Sequence, residues 1–99
     1  MDKLEEYIFK LEEIISDTKK REKNVINFVS DVMQNEETVY NVEIDGILSD
    51  FALDIDDYEP DPVERKAEPY YFGDEELLEK VNNLLRILKN LKNGNQTQR

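Results

Sequence analysis

The sequence predicts an all-α, antiparallel four-helix bundle with a long acidic loop between the third and fourth helices. Apolar residues recur at steps of three and four over four stretches, and turn-forming or proline-containing segments separate those stretches. A length of 99 residues allows one modest core. With 38% apolar and 37% charged residues the chain lies near the polar edge of what folds, yet its apolar residues are regularly spaced, which favours a folded domain over disorder.

In the first helix, expected over 3–16, Leu4, Tyr7, Ile8, Leu11, Ile14 and Ile15 form one face, and Glu5, Glu6, Lys10, Glu12 and Glu13 lie between them. Ser16, Asp17 and Thr18 offer N-cap side chains for a second helix over 18–35, whose stripe is Val25, Phe28, Val29 and Val32, flanked by Ile26 and Met33. Residues 34–38 read as a polar connection. From Val39 two periods compete: Tyr40, Val42 and Ile44 alternate like a strand, while Ile44, Ile47, Leu48, Phe51, Ile55 and Tyr58 continue at helical spacing. A lone strand would have no partner for its edge, so a helix over 40–58 is favoured, with Gly46 inside it. Pro60 and Pro62 end that helix, because each disfavours the helical conformation in the preceding residue and lacks a backbone donor. A loop follows to Gly73, long for so small a domain, and loops of this kind are often functional. Asp74 stands at the N-cap position of a fourth helix carried by Leu77, Leu78, Val81, Leu84, Leu85, Leu88 and Leu91, with Gly94 as its stop. The domain is thus expected to span 1–94, with a disordered tail over 95–99.

The net charge is −11. It is unevenly placed: between Glu36 and Glu79 sixteen acidic residues face only Arg65 and Lys66, a local charge of −14, while the remainder carries +3. A charge serving solubility alone would be spread over every exposed face. Asp50, Asp54 and Asp57 share a helical face, Glu43 and Glu64 extend the acidic run, and Asp56, Glu59 and Asp61 cluster where the third helix should end. Carboxylates there meet the negative end of the helix dipole and one another. Such repulsion suits an anionic docking surface, although a merely solvated acidic face has the same composition. Tyr58, Tyr70, Tyr71 and Phe72 lie in or beside this region. Tyr58 and Phe72 are expected to pack the loop, and Tyr70 and Tyr71 to share packing and contact roles. Arg65, set among carboxylates, is expected to clamp the loop internally by pairing with Glu59 or Asp61.

Several chemistries find no support in the residues. Without histidine or cysteine, the usual zinc, haem, thiol and general-base side chains are missing. The stretch from Asp54 places Glu59 where a calcium loop needs glycine and Arg65 where it needs glutamate. No phosphate-cradling glycine loop or serine nucleophile elbow occurs, so no enzyme activity and no cofactor are expected. The surface charge repels nucleic acid and anionic membranes alike. Charges stand near the start where a signal peptide needs an apolar run, so a soluble, cytoplasmic protein is expected.

The run Tyr58-Glu59-Pro60-Asp61 closing a helix, followed by Arg65, a tyrosine-containing loop, Gly73-Asp74 and the leucine-rich segment Val81 to Leu88, resembles the immunity proteins of the colicin D type. The resemblance covers residues 47–92. It implies a small helical protein that neutralises a cognate tRNA-cleaving toxin in a 1:1 complex, its carboxylates occupying the basic cleft that otherwise holds RNA phosphates. Carried over by position, Glu59 and Asp61 are the principal toxin contacts, joined by Asp56. Tyr58 and Tyr70 are added as aromatic contacts, and Asp54, Asp57 and Glu64 as the surrounding field. The alternative is an acidic helical decoy or adaptor for another basic, nucleic-acid-handling protein; a plain scaffold whose charge confers solubility is the third possibility.

Overall fold

A computed structural model describes residues 2–97, with side chains through Gly94. It is all-helical: α1 Lys3–Ser16, α2 Arg21–Gln34, α3 Val42–Ile55 and α4 Asp74–Thr97, with a single 3₁₀ turn, Glu64–Ala67, between α3 and α4. Among the described residues there is no β-strand, only an isolated bridge between Tyr58 and Phe72. No helix among them is long and apolar enough to cross a membrane.

α1 begins where expected because Asp2 and Glu5 close a capping box. Asp2 Oδ1 accepts from the Glu5 amide at 2.8 Å, and Glu5 Oε1 accepts from the Asp2 amide. The helix ends at Ser16. The side chain of Asp17 caps no following helix; it accepts from the Lys20 amide at 3.1 Å inside the connection, and α2 starts three residues later than the sequence suggests, at Arg21. α3 begins at Val42 because Asn41 Oδ1 accepts from the Ile44 amide at 2.8 Å, while the Asp45 carboxylate reaches back to the Val39 and Tyr40 amides. It stops at Ile55, short of the expected residue 58. There the Asp57 and Tyr58 amides bond to the Asp54 and Ile55 carbonyls, three residues back, tightening the last turn. Asp57 and Tyr58 therefore lie beyond the helix. At the other end of the chain α4 passes through Gly94 to Thr97, so this glycine is not a stop and residues 95–97 are helical; Gln98 and Arg99 lie outside the described residues.

The helices meet as α1 against α2 and α4, and α2 against α3. Each contributes its stripe to one core: Leu4, Tyr7, Ile8, Leu11 and Ile14 from α1, Val25, Phe28 and Val32 from α2, Ile44, Leu48, Ala52 and Ile55 from α3, and Leu77, Val81, Leu84, Leu85 and Leu88 from α4. Phe28 stands at its centre, edge-on to Tyr7 at 5.5 Å and to Phe51 at 5.8 Å between ring centroids. Ile26 and Met33, which flank the α2 stripe, face outward.

Arg21 is the one buried charged residue among those described, 8% exposed. Its Nε donates to the Ile14 carbonyl and one Nη to the Ile15 carbonyl, both at 2.8 Å. These are acceptors in the last turn of α1 that have no partner within their own helix. The planar guanidinium spans both and brings positive charge to the negative end of the helix. Replacing Arg21 with Met keeps most of the apolar stem but strips those carbonyls of their donors. The expected loss of unfolding free energy is about 2 kcal/mol, read from the urea midpoint. Arg21→Lys should recover only part of it, because one ammonium lacks the rigid fork.

Candidate functional site

Residues 56–73 connect α3 to α4 and hold six carboxylates. The connection closes on itself. At its neck the Phe72 amide donates to the Asp57 carbonyl at 3.3 Å and the Glu59 amide to the Phe72 carbonyl at 2.8 Å. The twelve residues between Glu59 and Phe72 thus form a compact loop with joined ends, an Ω-loop. Phe72 is buried and anchors the neck to the core, and its ring packs near that of Tyr58 at 6.3 Å.

The loop's own side chains set its path. Glu59 Oε2 accepts from the Asp61 amide at 3.2 Å, and Asp61 Oδ1 accepts from the Val63 amide at 2.8 Å, an Asx-type turn that leads into the 3₁₀ segment. Arg65 is a clamp, as the sequence suggests, but not through Glu59 or Asp61 carboxylates. Its Nη1 donates to the Glu59 carbonyl at 2.9 Å and more weakly to that of Pro60 at 3.4 Å. The guanidinium also lies against the far end of the loop: a Cβ on Gly73 would stand 2.8 Å from Arg65 Cζ. Arg65 therefore joins the loop's first residues to its last, and Gly73 is glycine because that space is taken.

Asp74 is the first residue of α4, and the amide of Leu77 bonds to the Gly73 carbonyl at 3.0 Å. Its carboxylate serves the packing of the elements more than the cap: Oδ1 accepts the Tyr58 hydroxyl hydrogen bond and lies 3.8 Å from Arg21 Nη1. The α1 C-terminus, the α2 start, the loop neck and the α4 start meet at this point.

Of the residues the sequence nominates, Asp56, Asp57, Glu59, Asp61 and Glu64 belong to this connection, and among the described residues none of the five forms an ion pair. Asp54 stands apart. It lies on α3 and is neutralised by Lys80 of α4 at 2.8 Å; Lys80 also meets Glu76 at 3.5 Å and sits over the Phe72 ring at 5.1 Å. The Asp54 hydrogen bond and charge hold the Lys80 ammonium above its ordinary pKa. Tyr58 is half-buried, its hydroxyl donating to Asp74 and its ring near Phe72, so it packs the loop as the sequence suggests. Tyr70 is exposed, its ring edge-on to Tyr71 at 5.2 Å. Sequence reasoning missed Val63, which faces water beside Asp61 and Glu64; a lone valine in a polar run gives no periodicity to read. No group of three or more carboxylates among the described residues is gathered closely enough to hold a metal ion. No family model, curated protein or solved structure matches this chain.

Gly73→Ala should push the Arg65 guanidinium from its carbonyls. The expected result is unchanged helicity by circular dichroism, shifted amide resonances over 59–66 and 72–74, and a loss of about 1 to 2 kcal/mol. The Tyr58 phenol has its pKa raised, first by burial and then by the hydrogen bond and charge of Asp74. An unfolded tyrosine ionises at about pH 10, so above that pH the unfolded state releases a proton that the folded state keeps. The stability this group confers is complete below about pH 10 and declines as pH rises further. Tyr58→Phe should flatten the fall in urea midpoint on the alkaline side, with Tyr7, also raised by burial, leaving a residual slope in both proteins.

Proposed function

We propose that this protein is a stoichiometric inhibitor, an immunity protein that neutralises a basic ribonuclease toxin of the tRNA-cleaving class in a 1:1 complex. In this reading it acts in the cytoplasm, makes no covalent step and needs no cofactor. The observation that carries the reading is the loop between α3 and α4: Asp56, Asp57, Glu59, Asp61 and Glu64 have no ion pair among the described residues, while Arg65 is spent on backbone carbonyls. A nuclease that grips a polyanion needs a cationic groove, and fixed carboxylates can fill such a groove with charge-assisted hydrogen bonds. Opposed fields also accelerate encounter.

The bundle beneath is read as antiparallel. Glu5 and Glu12 of α1 reach Lys92 and Lys89 of α4, while Arg21, just past the other end of α1, faces Asp74 at the start of α4. The acidic loop then lies at one end of the bundle, with the Glu5 and Lys92 pair at the other.

The test neutralises charge while keeping the hydrogen bonds that shape the loop. Glu59→Gln and Asp61→Asn each retain an acceptor oxygen for the amides they now cap. The double variant should bind a basic ribonuclease domain encoded beside this gene at least ten-fold more weakly, a loss of about 1.4 kcal/mol by calorimetric titration, with helicity intact. The unaltered protein should abolish tRNA cleavage at equimolar ratio. Unchanged affinity in the double variant refutes the site, and recovery of a DNA-handling complex in place of a ribonuclease favours the adaptor reading.

A further inference from the structure

The Ω-loop sorts its apolar side chains in two directions. Phe72 is buried and Tyr58 packs beside it, whereas Val63 is 69% and Tyr70 57% exposed. The Tyr70 hydroxyl makes no hydrogen bond among the described residues. Singly exposed apolar residues are ordinary. These two differ because they stand on one short closed loop whose backbone is held by Arg65 and by the Phe72 neck, so little freedom is left to lose when they are covered. The edge contact with Tyr71, at 84° between ring planes, further limits the Tyr70 ring. On the same loop the Asp61 and Glu64 side chains, beside Val63 in the sequence, are exposed and have no ion pair among the described residues, and they outnumber the one exposed cation there, Lys66.

We infer that Val63 and Tyr70 are the apolar anchors of this loop, and that they enter an apolar recess ringed by lysines or arginines on a partner protein. Charge selects that occupant. An anionic bilayer or an RNA would meet Asp61 and Glu64 with like charge, and a second copy presenting the same loop would do the same. A recess with a cationic rim satisfies both the apolar pair and the carboxylates beside it. The inference deepens the toxin-inhibitor reading and rests on it for the partner's class. It divides the labour on the loop: carboxylates govern encounter and salt dependence, and the apolar pair governs how long the complex lasts.

The test uses the full chain and two synthetic peptides of equal length and lysine content, one with leucines between the lysines and one with serines. Binding is followed by amide and methyl resonances at low and high salt. The leucine peptide should bind about five-fold more tightly, with the largest shifts at the Val63 methyls and the Tyr70 ring. Val63→Ser with Tyr70→Ser should erase that preference, leaving helicity and the salt dependence of both peptides unchanged. A preference that survives the double substitution, or largest shifts at another exposed apolar residue such as Phe9, Ile26, Met33, Val42, Leu53 or Ile87, overturns the proposal. The Glu59→Gln, Asp61→Asn protein separates the two readings. If it loses ribonuclease inhibition while Val63→Ser with Tyr70→Ser retains full residence time on the ribonuclease, the anchors are wrong and the inhibitor reading stands. If the peptide preference holds but the unaltered protein inhibits no ribonuclease, the inhibitor reading fails and the anchors stand.

Discussion

The Arg65 guanidinium controls the segment between α3 and α4 because it bonds to backbone and not to carboxylate. Six carboxylates within eighteen residues repel one another, and a connection of that length gains chain entropy by opening into water. A salt bridge from Arg65 to Glu59 or Asp61 would relieve some of the repulsion but would leave the loop's two ends independent. Bonded to the Glu59 and Pro60 carbonyls and lodged against Gly73, the same side chain ties the beginning of the loop to its end. Asp56, Asp61 and Glu64 then stay open to solvent on a backbone that is tied at both ends.

The neck carries this rigidity to the bundle. Phe72 is held in the core by its own burial and by Lys80 above its ring, and Tyr58 is held by Asp74, which also faces Arg21. Arg21 in turn closes the last carbonyls of α1. Loop position is thus referred, through a few polar contacts, to the ends of α1, α2 and α4. Lys80 has a second consequence. By pairing with Asp54 and Glu76 it ties α3 to α4, and it removes Asp54 from the uncompensated negative field.

Helix number, the core stripes and the location of the long loop are legible in the sequence because burial imposes a 3.6-residue period wherever a helix faces the core. Leu4, Tyr7, Ile8, Leu11 and Ile14 are the clearest case: every one of them is buried. Helix ends were less legible, since they are decided by single side chains with several options. Asp17 is as plausible an N-cap as Asn41, yet it bonds within the connection while Asn41 caps α3. Tyr58 continues the α3 stripe by count, but its pairing with Phe72, fourteen residues on, competes with another helical turn and prevails because Pro60 already opposes continuation. Gly94 reads as a stop only if the backbone needs a left-handed residue there, and no glycine in the described structure has a positive φ. At the site, the acidic character was visible as composition, while the distinction between Asp54, which is neutralised, and Asp61, which is not, depended on where α4 places Lys80.

The division of charge along the chain gives the proposed interaction a direction. The central segment carries −14 and the remainder +3, so the molecule has a strong electrical asymmetry in addition to its net charge. In the field of a cationic partner such an asymmetric molecule is turned as well as attracted, and the acidic segment leads the approach. Several positive side chains of the rest are occupied near home: Lys10 with Asp31, Lys89 with Glu12, Lys92 with Glu5 and Arg21 with the end of α1. These pairs contribute little individually to stability when exposed. All seven ion-paired carboxylates among the described residues lie on the helices and none on the loop, although helix carboxylates such as Glu43, Asp50, Glu75 and Glu79 are unpaired as well. In the inhibitor reading, the loop offers the partner uncompensated carboxylates on a segment whose shape is already set before the partner arrives.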